Sequence, residues 1–200
     1  MPSHAIIVFV KNPIEGRVKT RIAAVAGHKK AVEVYKKLLR YTLEMLLDLR
    51  RNHDIDCKIC LYYGDEINQD DIWNIVADQK QIQTGNDLGE RMYNAFAEQF
   101  VLGAAKVLII GSDCPTITAS HLKQAFNALD NYPIVFGPAT DGGYYLLGMK
   151  TLYKNIFNDK PWSQPNLLTN TLQELAPDSY YLLEKLSDID TWEDYLQHYQ

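Results

Sequence analysis

The chain has 200 residues, a formal net charge of −5 and an apolar fraction of 46%. That length suits a single domain over 1–200 that buries its own core without staples, and the acidic balance excludes a general nucleic-acid binder, which presents a basic face. No apolar run reaches the length of a membrane span, and three cysteines are too few for a disulfide framework, so the expected compartment is the cytoplasm.

The opening Met1-Pro2-Ser3-His4 carries no cationic region and no small-residue cleavage site, and Ala5–Val10 reads as a core strand rather than a signal peptide. A long helix is predicted over His28–Arg51, where Ala31, Tyr35, Leu38, Thr42, Met45 and Leu49 recur at three- and four-residue steps. A second strand is predicted over Cys57–Tyr63. Its Cys57-x-x-Cys60 pair would point to opposite faces of a strand and read as two core cysteines rather than a metal or redox site. A weaker helical stretch covers Ile67–Ala77, a short strand Gln81–Gln83, and a helix Asp87–Phe100.

Lys106–Gly111 is a continuous apolar run of the kind buried on both sheet faces. Thr118 is the expected cap of a helix over His121–Leu129. Pro133–Phe136 and Tyr144–Met149 follow as strands, and a helical tail closes the chain, with Thr191-Trp192-Glu193-Asp194 as a capping box. Strands alternating with helices predict a Rossmann-like three-layer α/β/α sandwich around a mostly parallel sheet. Ligands of such sheets bind at the carboxyl ends of the strands.

Four loops after those strands hold the candidate site residues. Lys11, Arg17, Lys19 and Arg21 crowd one loop with Gly16 as its only glycine. A P-loop needs glycine directly before the lysine, and Val18 stands there, so ATPase chemistry of that type is excluded. Like charges about 4 Å apart at a surface repel by about 4 kcal/mol. The crowding fits either side chains splayed into solvent or a di- or triphosphate clamp. In Gln83–Met92, Asp87 reads as a helix cap, and Gly85 and Gly89 would let a flat ring approach the backbone.

Gly111-Ser112-Asp113-Cys114-Pro115 ends the most buried strand, where an acid is costly unless it is paired or holds a cation. Cys114 has no activating neighbour, and His4, His28, His53, His121 and His198 form no motif, which argues against a cysteine nucleophile. Gly137–Gly148 places Asp141, Gly142 and Gly143 between two strands, as a hairpin turn or as a loop open to a ligand. Asp188 and Asp190 flank a helix start, where they either favour its dipole or complete an oxygen-ligated metal site with Asp113.

In order along the chain, K-x-P-x-x-G-x-V-K-T-R, G-x-D-L-G-E-R-M, G-S-D-C-P, G-P-A-x-D-G-G-Y-Y-L and D-I-D-T-x-E-D resemble the bacterial nucleotide-diphospho-sugar transferase-like proteins. Some of that group are assigned to arsenosugar biosynthesis, and the group is similar to phospholactate and molybdenum-cofactor nucleotidyltransferases. The resemblance implies a glycosyltransferase-A type fold. It implies a transferase that uses a nucleotide-sugar donor and Mg²⁺ or Mn²⁺ to glycosylate a small acceptor, with no nucleic acid and no membrane as partners. Lys11, Gly16, Arg17, Lys19, Arg21, Gln83, Asp87 and Gly89 would then serve the nucleotide and its phosphates. Asp113 would serve catalysis and metal, Asp190 or Asp188 would be the second ligand, and Asp141 would face the acceptor with Gly142 and Gly143.

In this chain the D-x-D motif of such enzymes is cut to one acid, with Ser112 before Asp113. Two other readings stand beside the first: nucleotidyl transfer from an NTP to a phosphorylated acceptor, with pyrophosphate release, and a nucleotide-binding protein without turnover. The tyrosine-rich C-terminal part suits either core or an oligomer interface.

Overall fold

The computed structural model describes residues 4–52 and 55–199. The remarks above on Met1-Pro2-Ser3 and on His53 lie outside the described residues.

Seven strands form one sheet in the order β3-β2-β1-β4-β6-β5-β7. They are β1 (His4–Val10), β2 (Cys57–Tyr63), β3 (Gln79–Ile82), β4 (Lys106–Ile110), β5 (Ile134–Pro138), β6 (Tyr144–Met149) and β7 (Tyr180–Leu182). Only β6 runs against the rest, pairing antiparallel with β4 and β5. The other neighbours are parallel, so six strands end at one edge of the sheet. The expected mostly parallel, three-layer α/β architecture is the one observed.

Side-chain alternation divides the core in two. From β1 and β4, Ile6, Val8, Leu108 and Ile110 face one layer, and Ala5, Ile7, Val107 and Ile109 face the other. Helices α2 (His28–Asn52) and α4 (Ala119–Asn131) cover the first face, and α3 (Leu88–Val101) and α5 (Leu167–Gln173) the second. Outside α2, the short α1 (Thr20–Ala26) and α6 (Trp192–Tyr199) build a third cluster around Ile22, Val34, Leu38 and Ile189. Cys57 and Cys60 pack on opposite faces, both as free thiols.

Three expectations need correction. The stretch 67–77 holds a single 3₁₀ turn, Ile72–Ile75, begun by the Asp71 carboxylate accepting from the Trp73 N–H and anchored by buried Trp73. The strand predicted at 81–83 starts earlier, because Gln79 already pairs with Cys60. The tail after β6 is not simply helical. It contains α5, then β7 pairing parallel with β5, then α6. The capping box at Thr191 forms as expected: Asp194 Oδ2 accepts from the Thr191 N–H at 2.8 Å, and Thr191 Oγ1 accepts from the Asp194 N–H at 3.1 Å.

Candidate active site

The chain leaves β1 toward β2 and β3 on one side and returns on the other side as β4. This reversal opens a crevice at the carboxyl ends of β1 and β4, the place where open α/β sheets bind ligands. A cleft of about 610 Å³ lies there.

The loop after β1 is built as a rigid platform. Buried Asn12 donates from Nδ2 to Asp65 Oδ1 at 3.0 Å and to the Glu66 carbonyl at 2.8 Å. The Lys11 N–H donates to the buried Tyr35 hydroxyl at 2.9 Å, and that hydroxyl lies 3.3 Å from Ser112 Oγ. Tyr35 thus bridges the loops after β1 and β4, and burial with the nearby Asp113 charge pushes its pKa up to about 12. Val18 plugs the same loop into the core. Lys11, Arg17 and Arg21 are left exposed along the cleft wall. Lys11 and Arg17 have no carboxylate within ion-pair distance among the described residues, and Arg21 lies 3.7 Å from Asp190 Oδ2.

Lys19 behaves differently. Its backbone is left-handed (φ 45°, ψ 49°), and it precedes α1. Its Nζ lies 3.1 Å from Asp113 Oδ1 and 2.8 Å from Asp190 Oδ1, with the lysine side chain only 5% exposed. Burial opposes its charge, yet Asp113 and Asp190 together outweigh burial and hold its pKa above the usual lysine value. The two acids come from opposite parts of the chain and are tied together by the Ile189 N–H donating to the Asp113 carbonyl at 2.9 Å.

Asp188, beside them, has a buried Oδ1 without a hydrogen-bond partner. Burial first, and then the charges of Asp113, Asp141 and Asp190, push its pKa up to about 7. Asp141 stands at the cleft on the β5–β6 turn, where its Oδ1 accepts from the Gly143 N–H at 2.8 Å. Among the described residues no three His, Cys, Asp or Glu side chains form a ready-made metal cage. A Mg²⁺-type ion needs only one or two carboxylates when substrate phosphates and water complete its shell. Asp113 and Asp190, closing on one cation position beside an unpartnered carboxylate, fit such an ion.

The cleft therefore gathers Lys11, Arg17, Lys19, Arg21, Gln83, Asp113, Asp141, Gly143, Asp188 and Asp190. Four expected residues do not line it. Gly16 sits at φ +79° with open space around it and shapes the loop. Asp87 caps α3, accepting from the Glu90 N–H at 2.8 Å. Gly89 is needed for packing, since a Cβ there would meet the Trp162 ring at 2.4 Å. Gly142, at φ +90°, lies against the Pro165 backbone.

Sequence reasoning missed Tyr35, Arg91 and Trp162, which all line the cleft. Tyr35 carried a signal, a hydroxyl on the apolar stripe of a helix, and Arg91 lies within a quoted motif. Trp162 has no local signal. The thiol of Cys114 is buried, and that burial pushes its pKa up to about 11, which does not suit a nucleophile.

Residues 46–164 match the family described as "Uncharacterized protein conserved in bacteria (DUF2064)". No curated protein matches the sequence. Among solved structures, a protein of Desulfovibrio desulfuricans G20, named provisionally a nucleotide-diphospho-sugar transferase, is 28% identical, with a TM-score of 0.87 over 100% of this chain and 87% of that one. The 4-diphosphocytidyl-2C-methyl-D-erythritol synthase of Anaerococcus prevotii DSM 20548 is 14% identical, with a TM-score of 0.61 over 98% of this chain and 99% of that one. The glucosyl-3-phosphoglycerate synthase of Mycobacterium tuberculosis, solved with Mn²⁺ and UDP, is 10% identical, with a TM-score of 0.55 over 98% and 75%. The last two share the fold. On these grounds the chain belongs to the DUF2064 family and has the fold of nucleotide-utilising transferases.

Proposed function

We propose that the protein transfers a glycosyl group from a nucleotide-sugar donor to a small acceptor, with Mg²⁺ or Mn²⁺ held by Asp113 and Asp190. The observation that carries this reading is the opposition of two charge sets across one crevice. Lys11, Arg17 and Arg21 line it from the loop after β1 and the first turn of α1, and Asp113, Asp188 and Asp190 line it from the loops after β4 and β7. The named neighbour at 28% identity supports the same reaction class.

A bound divalent cation would supply charge neutralisation at the diphosphate leaving group. The chain's own cations would do the rest. The Asn12–Asp65 clasp and the buried Val18 anchor the loop that carries Lys11 and Arg17 and leads into Arg21, so these cations would stand beside developing phosphate charge. As the anomeric C–O bond to the diphosphate breaks, an acceptor oxygen forms the new bond. Asp141, at the cleft mouth and held by the Gly143 N–H, orients that acceptor hydroxyl or takes its proton. Gln83, just after β3, and Arg91, on α3, line the cleft and would contact the nucleoside or the acceptor.

The test is a melting-temperature screen of nucleoside diphosphates and nucleotide sugars with and without Mg²⁺ or Mn²⁺. A nucleoside diphosphate with metal should raise the melting temperature of the wild type, and Asp113→Ala should remove the rise. No shift with any nucleotide would reject the reading. Nucleotidyl transfer is kept as a second reading, because the cytidyl-type neighbour shares the whole fold. Pyrophosphate release from an NTP, with no nucleoside diphosphate released from a nucleotide sugar, would select it.

A further inference from the structure

Lys19 stands where the proposed reaction needs a metal ion. Its ammonium lies between Asp190 Oδ1 at 2.8 Å and Asp113 Oδ1 at 3.1 Å, and its side chain is 5% exposed while those acids are 44% and 42% exposed. Its backbone is left-handed at φ 45°, a conformation that few residues other than glycine hold without support. Close by, the buried Oδ1 of Asp188 has no partner. One ammonium, with Arg21 3.7 Å from Asp190, faces the Asp113 and Asp190 carboxylates, and Asp188 lines the same cleft.

We propose that Lys19 is a resident counter-ion that fills the metal position in the ligand-free protein and turns to the phosphates when a metal–polyphosphate complex arrives. The inference rests on the nucleotide-transferase reading and adds its ligand class: a metal-chelated polyphosphate, not the free ion. A divalent cation alone has to displace a buried ammonium of like charge. A polyphosphate alone would draw Lys19 away and leave Asp113 and Asp190 without their counter-ion. When both arrive, the acids keep a cation and Lys19 gains an anion, so every charge is matched. Each ligand therefore raises the affinity for the other, by the same factor in both directions. Lys19 is the residue that sets this preference.

The test titrates the intact protein with Mn²⁺, read by loss of the free-ion paramagnetic resonance signal and corrected for chelation in solution, and with inorganic pyrophosphate as the polyphosphate probe. In the wild type, pyrophosphate should strengthen Mn²⁺ binding by about tenfold or more. Lys19→Met should bind Mn²⁺ alone about tenfold more tightly than the wild type and keep a coupling below about threefold. Lys36→Met removes the same charge from an exposed site on α2 and should leave Mn²⁺ affinity within about twofold.

Equal Mn²⁺ affinity in the wild type and Lys19→Met overturns the proposal. So does wild-type Mn²⁺ binding that pyrophosphate leaves unchanged, and in that case both ligands still bind and the transferase reading stands. Failure of the folded wild type to bind either ligand, alone or together, overturns both. If Lys19→Met does not fold without metal, Lys19→Gln is read against the same thresholds, and Mn²⁺ should raise its melting temperature more than that of the wild type.

Discussion

Asp188 is a carboxylate held against its own ionisation. Its folded pKa of about 7 lies above the ordinary 3.8, chiefly because of burial and then because of Asp113, Asp141 and Asp190. The folded protein therefore keeps a proton that the unfolded chain loses, and the metal-free protein should lose stability as pH rises from about 4 to about 7. Asp188→Asn should remove this loss. We expect it to be more stable than the wild type by about 2 kcal/mol at pH 8 and equal at pH 4. Urea melts at the two pH values check this, and an equal difference at both would reject the assignment. The same variant should bind divalent cations more weakly, so stability and function oppose each other at this residue.

Burial acts on Cys114 in the same direction. Burial leaves fewer than about one thiol in a thousand ionised at neutral pH. Alkylation of the native protein by iodoacetamide should be slow at pH 7 and rise about tenfold per pH unit toward pH 10. Fast labelling of Cys114 at pH 7 would reopen the nucleophile reading.

Among the elements, α3 and the segment before α5 depend on each other. The segment 157–166 folds over the start of α3 and contributes Trp162 to the cleft. It is held by Lys160 Nζ 2.5 Å from Glu174 Oε2 and by the Leu168 N–H donating to the Gly142 carbonyl at 3.0 Å. Gly89 makes the contact possible: a Cβ there would sit 2.4 Å from the Trp162 ring and 2.5 Å from the Phe157 carbonyl. Gly89→Ala should cost about 1–3 kcal/mol by overpacking. It should also shift the Trp162 fluorescence as that wall moves. A melting temperature and emission spectrum equal to those of the wild type would show that the two elements are not coupled. Glycine serves here for close packing, whereas the motif alone suggested close approach of a ligand.

Across the whole molecule, the cleft is built by the two ends of the chain. Lys19 and Asp190 are 171 residues apart in sequence and meet because β1 is central and the segment after β7 returns over its end. Binding of a nucleoside diphosphate with Mg²⁺ should therefore slow hydrogen exchange in residues 11–21, 111–115 and 183–190 together. Protection of one of these segments alone would contradict a shared site.

The sequence by itself determined the strands β1, β2, β4, β5 and β6, the helices α2, α3 and α4 and the caps at Asp87, Thr118 and Thr191, because apolar period and capping chemistry act between near neighbours. It also marked the loops that carry the charged groups, since an α/β sheet displays its binding loops after its strands. Only the tertiary structure decided the rest. β7 is three residues long and is defined by the β5 edge it joins. Trp162 reaches the cleft by packing against Gly89 at the start of α3, far earlier in the chain. The pairing of Lys19 with Asp113 and Asp190 follows from a strand order that reverses at β1, and no local pattern encodes that order, because it is set by which buried faces fit together once the whole chain collapses.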